Sequence, residues 1–81
     1  MKYTLYTEYK PNLYRLVNKY FDGATFTRCF GMWKGKKEQS IQIVIFTGHT
    51  LNITLLAEKI KSTNKQESIL IEKAEVEWEL K

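Results

Sequence analysis

The chain has 81 residues, of which 43% are hydrophobic and 27% charged, and this length allows one domain, residues 1–81, with no second core. Its one cysteine, Cys29, and one histidine, His49, exclude an internal disulfide and a Cys/His metal cluster, and we expect no cofactor and no catalytic residue. No apolar run approaches the roughly 20 residues of a membrane span, so we expect a cytoplasmic protein with no membrane partner.

Charge is distributed unevenly along the chain. Residues 1–40 contain eight Lys or Arg and three acids, a net +5, whereas residues 41–81 contain five and six, a net −1. A basic half favours partners that carry phosphate, although small soluble domains commonly have such a charge. The Lys, Asn and Ile usage is also typical of an AT-rich genome, such as that of a phage or a low-GC bacterium.

The first third of the chain predicts a strand, a helix and a second strand. Residues 2–9 alternate and are rich in Thr and Tyr, which favour strands. Pro11 ends this strand and suits the first turn of a helix, whose apolar residues recur at helical spacing. That stripe consists of Leu13, Leu16, Val17 and Tyr20. Gly23 ends the helix, and residues 24–33 form the next alternating segment.

A hairpin follows, because a turn at residues 33–36 joins this segment to a strand at residues 38–47. We expect the two strands to lie in the middle of the sheet, since residues 43–46 form a continuous apolar run. The predicted core face consists of Phe26, Phe30, Met32, Ile41, Ile43 and Ile45. Arg28 falls on this face, so either a bulge shifts the register or Arg28 lies near an edge where its guanidinium reaches water.

The remaining residues predict a second helix and a last strand. Thr50 or Asn52 is the expected N-cap, and the helix runs to about residue 62. Its inward stripe is Ile53, Leu56, Ala57 and Ile60. Residues 68–80 predict the last strand. The order β-α-β-β-α-β is that of a ferredoxin-like α+β plait, with a four-stranded antiparallel sheet and two helices on one face.

The opposite face of such a sheet would have no helix to cover it. It would carry small, polar and large apolar side chains, namely Thr25, Thr27, Cys29, Trp33, Gln42, Val44 and Phe46. Exposed large apolar groups usually mark an interface, and a chain of this size buries only about 60–65% of its unfolded surface. We therefore expect a homo-oligomer whose sheets face one another.

Two segments, residues 22–45 and 63–71, resemble an uncharacterised family of small α/β-plait proteins. The matching residues are Gly23, Thr25, Gly31, Trp33, Gly35, Glu38, Ser40, Asn64, Gln66, Glu67 and Ser68. More distantly, residues 33–45 are similar to the hairpin of CutA proteins, and the order of elements is that of PII-like proteins. The resemblance covers about residues 20–75, and the closest family has no assigned activity.

PII-like proteins are trimers that bind small ligands, often adenine nucleotides, in clefts between subunits near this hairpin. The resemblance therefore implies self-association, with a trimer favoured over a dimer, and a small anionic ligand beside the turn. The predicted ligand-binding residues are Thr25, Thr27, Arg28, Trp33, Lys34, Lys36, Glu38, Gln66 and Glu67. The short turn departs from the long signalling loop of PII proteins, and one Cys and one His make a poor set of ligands for a CutA-type metal.

Residue chemistry supports the same expectation, because ammonium groups neutralise phosphate and an indole stacks on a base. The simpler interpretation is a solvated hairpin, since lysines cluster in turns for solubility. We expect a non-enzymatic protein that holds a nucleotide-derived ligand at subunit boundaries, as a sponge for a signal would. A single-stranded nucleic-acid-binding module is one alternative. The others are a small dimeric α/β-barrel enzyme, with His49, Glu38 or Glu67 as its base, and a structural oligomer without a ligand.

Overall fold

A computed structural model describes residues 1–80 and contains one four-stranded antiparallel sheet and two helices. The strands are β1 (Lys2–Glu8), β2 (Thr25–Trp33), β3 (Lys36–Phe46) and β4 (Leu70–Ala74), and the helices are α1 (Leu13–Asn18) and α2 (Thr50–Asn64). The predicted α+β class is confirmed. The strand order is β2-β3-β1-β4, which is compatible with the predicted plait. No helix in residues 1–80 is long and apolar enough to cross a membrane.

The core lies between the two helices and one face of the sheet. Its fully buried members come from both layers and include Leu5, Leu13, Ile41, Ile43, Ile45, Leu56 and Ile60. The inward stripe predicted for α2 is buried throughout, and so is the stripe of α1 except for Tyr20, which is only partly buried. Helical and strand periodicities therefore identified most of the core, because each side chain's face follows from local spacing.

The prediction that both hairpin strands lie in the middle of the sheet is wrong. β3 is central, but its neighbours are β2 on one side and β1 on the other, so β2 lies at an edge. In this topology a helix connects β1 to β2, and β3 then inserts between them. The apolar run within β3 reflects its central position alone and provides no information about the position of β2.

The edge position of β2 corrects the predicted core face of the hairpin. Phe30 and Met32 are 76% and 75% exposed, whereas Phe26 packs partly against the core. Helix α1 has only six residues, and Tyr14 on it contacts Phe26 with ring centroids 4.6 Å apart. The second half of β2 therefore extends beyond the cover that α1 provides.

Arg28 lies on this edge strand without a bulge. β2 pairs with β3 continuously from Thr25 to Trp33, so the register is not shifted. The Arg28 guanidinium lies 3.6 Å from the centroid of the Tyr9 ring and donates a hydrogen bond to Gln39 Oε1 at 3.4 Å. Of the two alternatives, the edge position is confirmed.

The predicted turn is also confirmed. Lys34 and Gly35 have φ angles of 51° and 77°, the two positive values that a two-residue type I′ hairpin turn requires. The predicted cap of α2 is wrong, since His49 occupies the N-cap position and makes no side-chain capping bond. Instead the His49 backbone N–H donates to Thr47 Oγ1 at 3.0 Å.

The last strand is shorter than the sequence predicts. β4 ends at Ala74, which pairs with Lys2, the first residue of β1. Residues 75–80 continue the alternating pattern beyond that point, but they lie outside any strand of the described chain.

Candidate ligand groove on the open face of the sheet

A groove of about 990 Å³ lies on the helix-free face of the sheet. We call it the open-face groove. It lies where one end of β1, the distal half of the β2–β3 hairpin and the loop between α2 and β4 meet. Its floor comes from the strands and its walls from the hairpin and the loop, and its lining includes Tyr6, Glu8, Cys29, Gly31, Trp33, Glu38, Ser40, Gln42, Gln66, Glu67 and Leu70.

Strand register builds the floor of this groove. Gln42 on β3 lies between Tyr6 on β1 and Thr27 on β2, and Ser40 lies between Glu8 and Cys29 in the same way. Side chains directly opposite on antiparallel strands share one face of the sheet. The floor is therefore polar at its centre, with a phenol, a carboxamide, a hydroxyl and a thiol side by side.

Gly31 keeps this floor open. A Cβ added at Gly31 would lie 2.5 Å from Ser40 Oγ, which is too close for any two real atoms of this kind. Ser40 is 8% exposed, and its hydroxyl donates to Glu38 Oε1 at 3.4 Å. A side chain at Gly31 would therefore displace the Ser40 hydroxyl from Glu38.

Tyr6 presents a protonated phenol on the open face. Its hydroxyl donates to Glu72 Oε1 on β4 at 3.2 Å. Desolvation raises the Tyr6 pKa above its usual value of 10.0, and the hydrogen bond and negative charge of Glu72, followed by the charge of Cys29, raise it further. At neutral pH the group is therefore a hydrogen-bond donor rather than a phenolate.

Gln66 supplies an unsatisfied donor. The Thr7 hydroxyl donates to Gln66 Oε1, whereas Gln66 Nε2 is buried and has no hydrogen-bond partner. Rotating the carboxamide by half a turn would exchange the two atoms and still leave one of them without a partner. A buried polar atom without a partner costs about 1–3 kcal/mol. A ligand acceptor in the groove that reached this amide would remove that cost.

An ion pair connects the two walls. Lys34 Nζ in the hairpin turn lies 2.9 Å from Glu67 Oε2 in the loop after α2, although the two residues are 33 positions apart in sequence. Both side chains are about two-thirds exposed, at 66% and 67%, so the pair contributes no more than about 1 kcal/mol. A contact this weak leaves Lys34 able to exchange Glu67 for another anion.

The charges along the groove are close to balanced. Three carboxylates line it, those of Glu8, Glu38 and Glu67, together with the ammonium group of Lys65. Glu8 is paired with Lys10 at 3.2 Å and Glu67 with Lys34. The groove itself therefore suits the hydroxyl and amine groups of a ligand better than a phosphate.

The predicted site residues separate into three groups. Trp33, Glu38, Gln66 and Glu67 line the groove, and Lys34 and Lys36 border it through Glu67 and through pairing with Trp33. Thr25 and Thr27 are exposed on the open face of β2 but do not line the groove. Arg28 extends from the other face, where it contacts Tyr9.

Tyr6, which lies on the floor of the groove, was not among the predicted site residues. Alternation in the first strand places Tyr3, Leu5 and Thr7 on the core face, and the same alternation places Tyr6 on the open face. That signal was present in the sequence. No local pattern in the sequence predicts the contact between Thr7 and Gln66, because the two residues are 59 positions apart.

No protein-family model matches the sequence, and no curated protein matches it. The similarity to PII-like and CutA proteins therefore stays a prediction. Within residues 1–80 there is no cluster of three or more His, Cys, Asp or Glu side chains that could bind a metal.

Proposed function

We propose that this protein is a non-enzymatic, ferredoxin-like binding protein that associates with copies of itself and holds a small nucleotide-derived ligand in the open-face groove. One observation carries the proposal. The groove brings together an indole, an unsatisfied carboxamide donor and a carboxylate directly beside a lysine-rich turn. These groups come from Trp33, Gln66, Glu38 and the turn at Lys34.

The groove has the chemistry of a nucleoside site. The Trp33 side chain is half exposed, at 51%, and an exposed indole face can stack on any nucleobase. Gln66 Nε2 offers a donor to a base or ribose oxygen, and Glu38 accepts hydrogen bonds from ribose hydroxyls or an exocyclic amine. A nucleoside therefore uses each polar group that lines the wall beside Trp33.

The phosphates of the ligand lie outside the groove, at the turn. Lys36 and Lys37 are exposed and have no ion-pair partner within residues 1–80, and Lys34 has only the weak pair with Glu67. Lys36 pairs with Trp33 on the open face, whereas Lys37 pairs with Met32 on the other face. The ammonium groups of Lys34 and Lys36 therefore lie beside the groove, where they neutralise one or two phosphates. The ligand is therefore anionic at one end and neutral at the other.

Self-association is proposed on the exposed apolar side chains of the open face. Trp33, Phe46 and Leu70 are 51%, 45% and 66% exposed there. Large apolar groups clustered on one face usually mark an interface. A second copy over this face places the ligand at a boundary between subunits, where it contacts both.

Thermal unfolding with a panel of ligands tests the proposal. The panel contains nucleosides, nucleoside mono- and diphosphates, cyclic nucleotides, ADP-ribose-type molecules and a single-stranded oligonucleotide. A ligand at 100 times its Kd stabilises by about 2.7 kcal/mol, which raises Tm by about 11–22 °C in a domain of this size. The expected result is stabilisation by a phosphorylated nucleoside and weaker stabilisation by the same nucleoside without phosphate.

Two variants and one control assign the effect to the groove. Trp33→Ala should abolish the shift for every ligand, and the pair Lys34→Ala with Lys36→Ala should remove the advantage of phosphate only. The control exchanges Lys19 and Lys59 for Ala, since both are exposed lysines on the other side of the chain. If no nucleotide raises Tm at millimolar concentration, the proposal is wrong. Stabilisation by the oligonucleotide alone would favour the nucleic-acid-binding alternative.

A further inference from the structure

The outer edge of β2 is open to another strand. β2 is an end strand of the sheet, so the N–H and C=O groups on its outer side have no ladder partner within residues 1–80. Natural edge strands usually carry lysines, prolines or bulges that prevent further pairing. β2 contains no lysine and no proline, and it pairs with β3 without a bulge. Its one charged residue, Arg28, extends away from the edge, because its guanidinium lies over the ring of Tyr9 on the far side of β3.

One half of β2 has cover on the helix side of the sheet, and the other half lacks it. Phe26 packs against the Tyr14 ring of α1, whereas Phe30 and Met32 lie beyond α1 and are exposed. A twofold axis perpendicular to the sheet places the second half of one β2 beside the first half of another. The covered half of each copy then lies against the bare half of its neighbour. The occupant that fits this edge is therefore a second copy of the same chain.

The composition of β2 selects the register of such a pair. Side chains directly opposite on antiparallel strands share a face, so the axis passes through a residue position. An axis at Cys29 pairs all nine residues of β2. An axis at Arg28 sets two like charges directly opposite each other, which is destabilising, and an axis at Phe30 leaves the first two residues of β2 unpaired. The register about Cys29 is therefore favoured.

This register covers the exposed apolar side chains of the helix side. It places Met32 opposite Phe26 of the second copy, next to the Tyr14 ring that packs on Phe26. It places Phe30 opposite Arg28 of the second copy, whose methylene stem is apolar. Both residues that the edge position leaves in water thus gain an apolar contact.

The contact has the area of a weak, specific interface. β2 has nine residues, so it is about 30 Å long, and its side chains extend about 5 Å to each side of the sheet. The footprint is therefore roughly 300 Å² per copy, and the protruding side chains of Phe30, Met32 and Trp33 add about as much again. Two copies together bury about 1,200 Å², which is the lower end of the range for stable interfaces.

We infer that two copies pair through the outer edges of β2, antiparallel about Cys29, and that each copy supplies residues to the open-face groove of the other. Thr27 of the second copy lies opposite Gly31, and Thr25 of the second copy lies opposite Trp33. Gly31 and Trp33 line the groove, whereas the two threonines lie outside the groove of their own subunit. The pairing therefore adds two hydroxyl groups to the groove wall. That these hydroxyls contact the ligand rests on the proposed function, but the pairing itself does not.

Disulfide formation at Cys29 tests the register. Directly opposite Cα atoms on antiparallel strands are about 4.5–5.5 Å apart, which is within the range of about 4.4–6.8 Å for a disulfide. Diamide is the oxidant, and it accepts the two electrons and two protons that the two thiols lose. Cys29 is the single cysteine of the chain, so no other disulfide competes. We expect a covalent dimer of the wild type on a non-reducing gel, in the absence of any nucleotide.

The matched control moves the thiol along the same face of the same strand. In the variant Cys29→Ser with Thr27→Cys, the two thiols are offset by four residues, and their Cα atoms are about 14 Å apart. Position 27 is more exposed than position 29, so random collision would oxidise the control faster than the wild type. We expect the control to form the covalent dimer at least about tenfold more slowly.

Molar mass by size-exclusion chromatography with light scattering tests the contact without oxidation. Met32→Glu places a carboxylate against Phe26 and Tyr14 of the second copy, where it is removed from water. This variant should halve the molar mass of the wild type, whether or not the open faces also associate. Met32→Leu keeps an apolar side chain and should retain the mass. Met32 is 75% exposed in one subunit, so both variants should fold, which circular dichroism checks.

Three results would overturn the inference. They are the absence of a covalent wild-type dimer, equal rates of cross-linking in the wild type and the control, and equal molar masses for Met32→Glu and Met32→Leu. The threonines have a separate readout. Thr27→Val should reduce the nucleotide-induced rise in Tm in the wild type but not in Met32→Glu, and an equal reduction in both would contradict their place in the neighbouring groove. If no nucleotide raises Tm, the proposed function fails, while the cross-link and the mass still decide the pairing.

Discussion

Replacing Thr7 by Val should destabilise the protein through the groove wall. Thr7 is 5% exposed, and its hydroxyl is the only hydrogen-bond partner of the Gln66 carboxamide within residues 1–80. Val has nearly the same shape as Thr and suits a strand, so the variant removes one hydrogen bond with little change in packing. Gln66 is then left with both amide atoms unsatisfied, which costs about 1–3 kcal/mol.

Gln66→Met should cost much less than Thr7→Val. It leaves the Thr7 hydroxyl without its acceptor, but it also removes the buried Nε2 that has no partner in the wild type. These two contributions are similar in size and opposite in sign. The double variant removes every unsatisfied polar atom of this contact, and its free energy of unfolding should equal or exceed that of the wild type.

Urea denaturation of the four proteins, followed by circular dichroism, measures these free energies as a double-mutant cycle. We expect Thr7→Val to lower Tm by about 4–8 °C for each kcal/mol lost. The reasoning is refuted if Thr7→Val costs less than about 0.5 kcal/mol, or if the double variant is less stable than Thr7→Val alone. The same double variant should lose ligand-induced stabilisation, because the donor has been removed.

Three further predictions concern the floor, the core and the mouth of the groove. Because folding raises the Tyr6 pKa, the stability that this phenol contributes is present below pH 10 and is lost as pH rises through the folded-state pKa. Glu72→Gln should lower the Tyr6 pKa, measured by ultraviolet titration. Leu5→Ala, at a fully buried position, should cost about 2–5 kcal/mol in urea denaturation. Lys34→Ala should change the free energy of unfolding by less than about 1 kcal/mol and should weaken ligand binding.

Each of these predictions has a matched control. Tyr6→Phe identifies the Tyr6 signal in the titration, and an unchanged curve in Glu72→Gln would contradict the assigned cause of the shift. Leu51→Ala, at an exposed position, should cost no more than about 0.5 kcal/mol, and an equal cost at Leu5 would contradict its place in the core. Lys59→Ala should leave ligand binding intact.

Local periodicity was sufficient to predict the elements and most of the core. The stripes of both helices and the alternation of Ile41, Ile43 and Ile45 depend only on spacing within one element, and all are buried apart from the partial exposure of Tyr20. The turn at Lys34 and Gly35 was equally local, since few residue pairs accept two positive φ angles.

Sheet order decided the features that the sequence did not predict. Phe30 and Met32 alternate with polar residues as core residues do, but an edge strand beside a six-residue helix leaves them exposed. The last strand ends at Ala74, where its pairing with β1 ends opposite Lys2. The unsatisfied amide of Gln66 depends on a contact with Thr7 that only the folded chain creates.

The two tryptophans of the chain provide separate optical signals for its two proposed events. Trp33 and Trp78 are about equally exposed, at 51% and 50%, but one lines the groove and the other lies in the C-terminal segment. In Trp78→Phe, the fluorescence of Trp33 alone would report a ligand that stacks on it. In Trp33→Phe, the emission of Trp78 should shift to shorter wavelength as protein concentration rises, because Trp78 contacts Phe46 on the open face and a second copy over that face removes the indole from water.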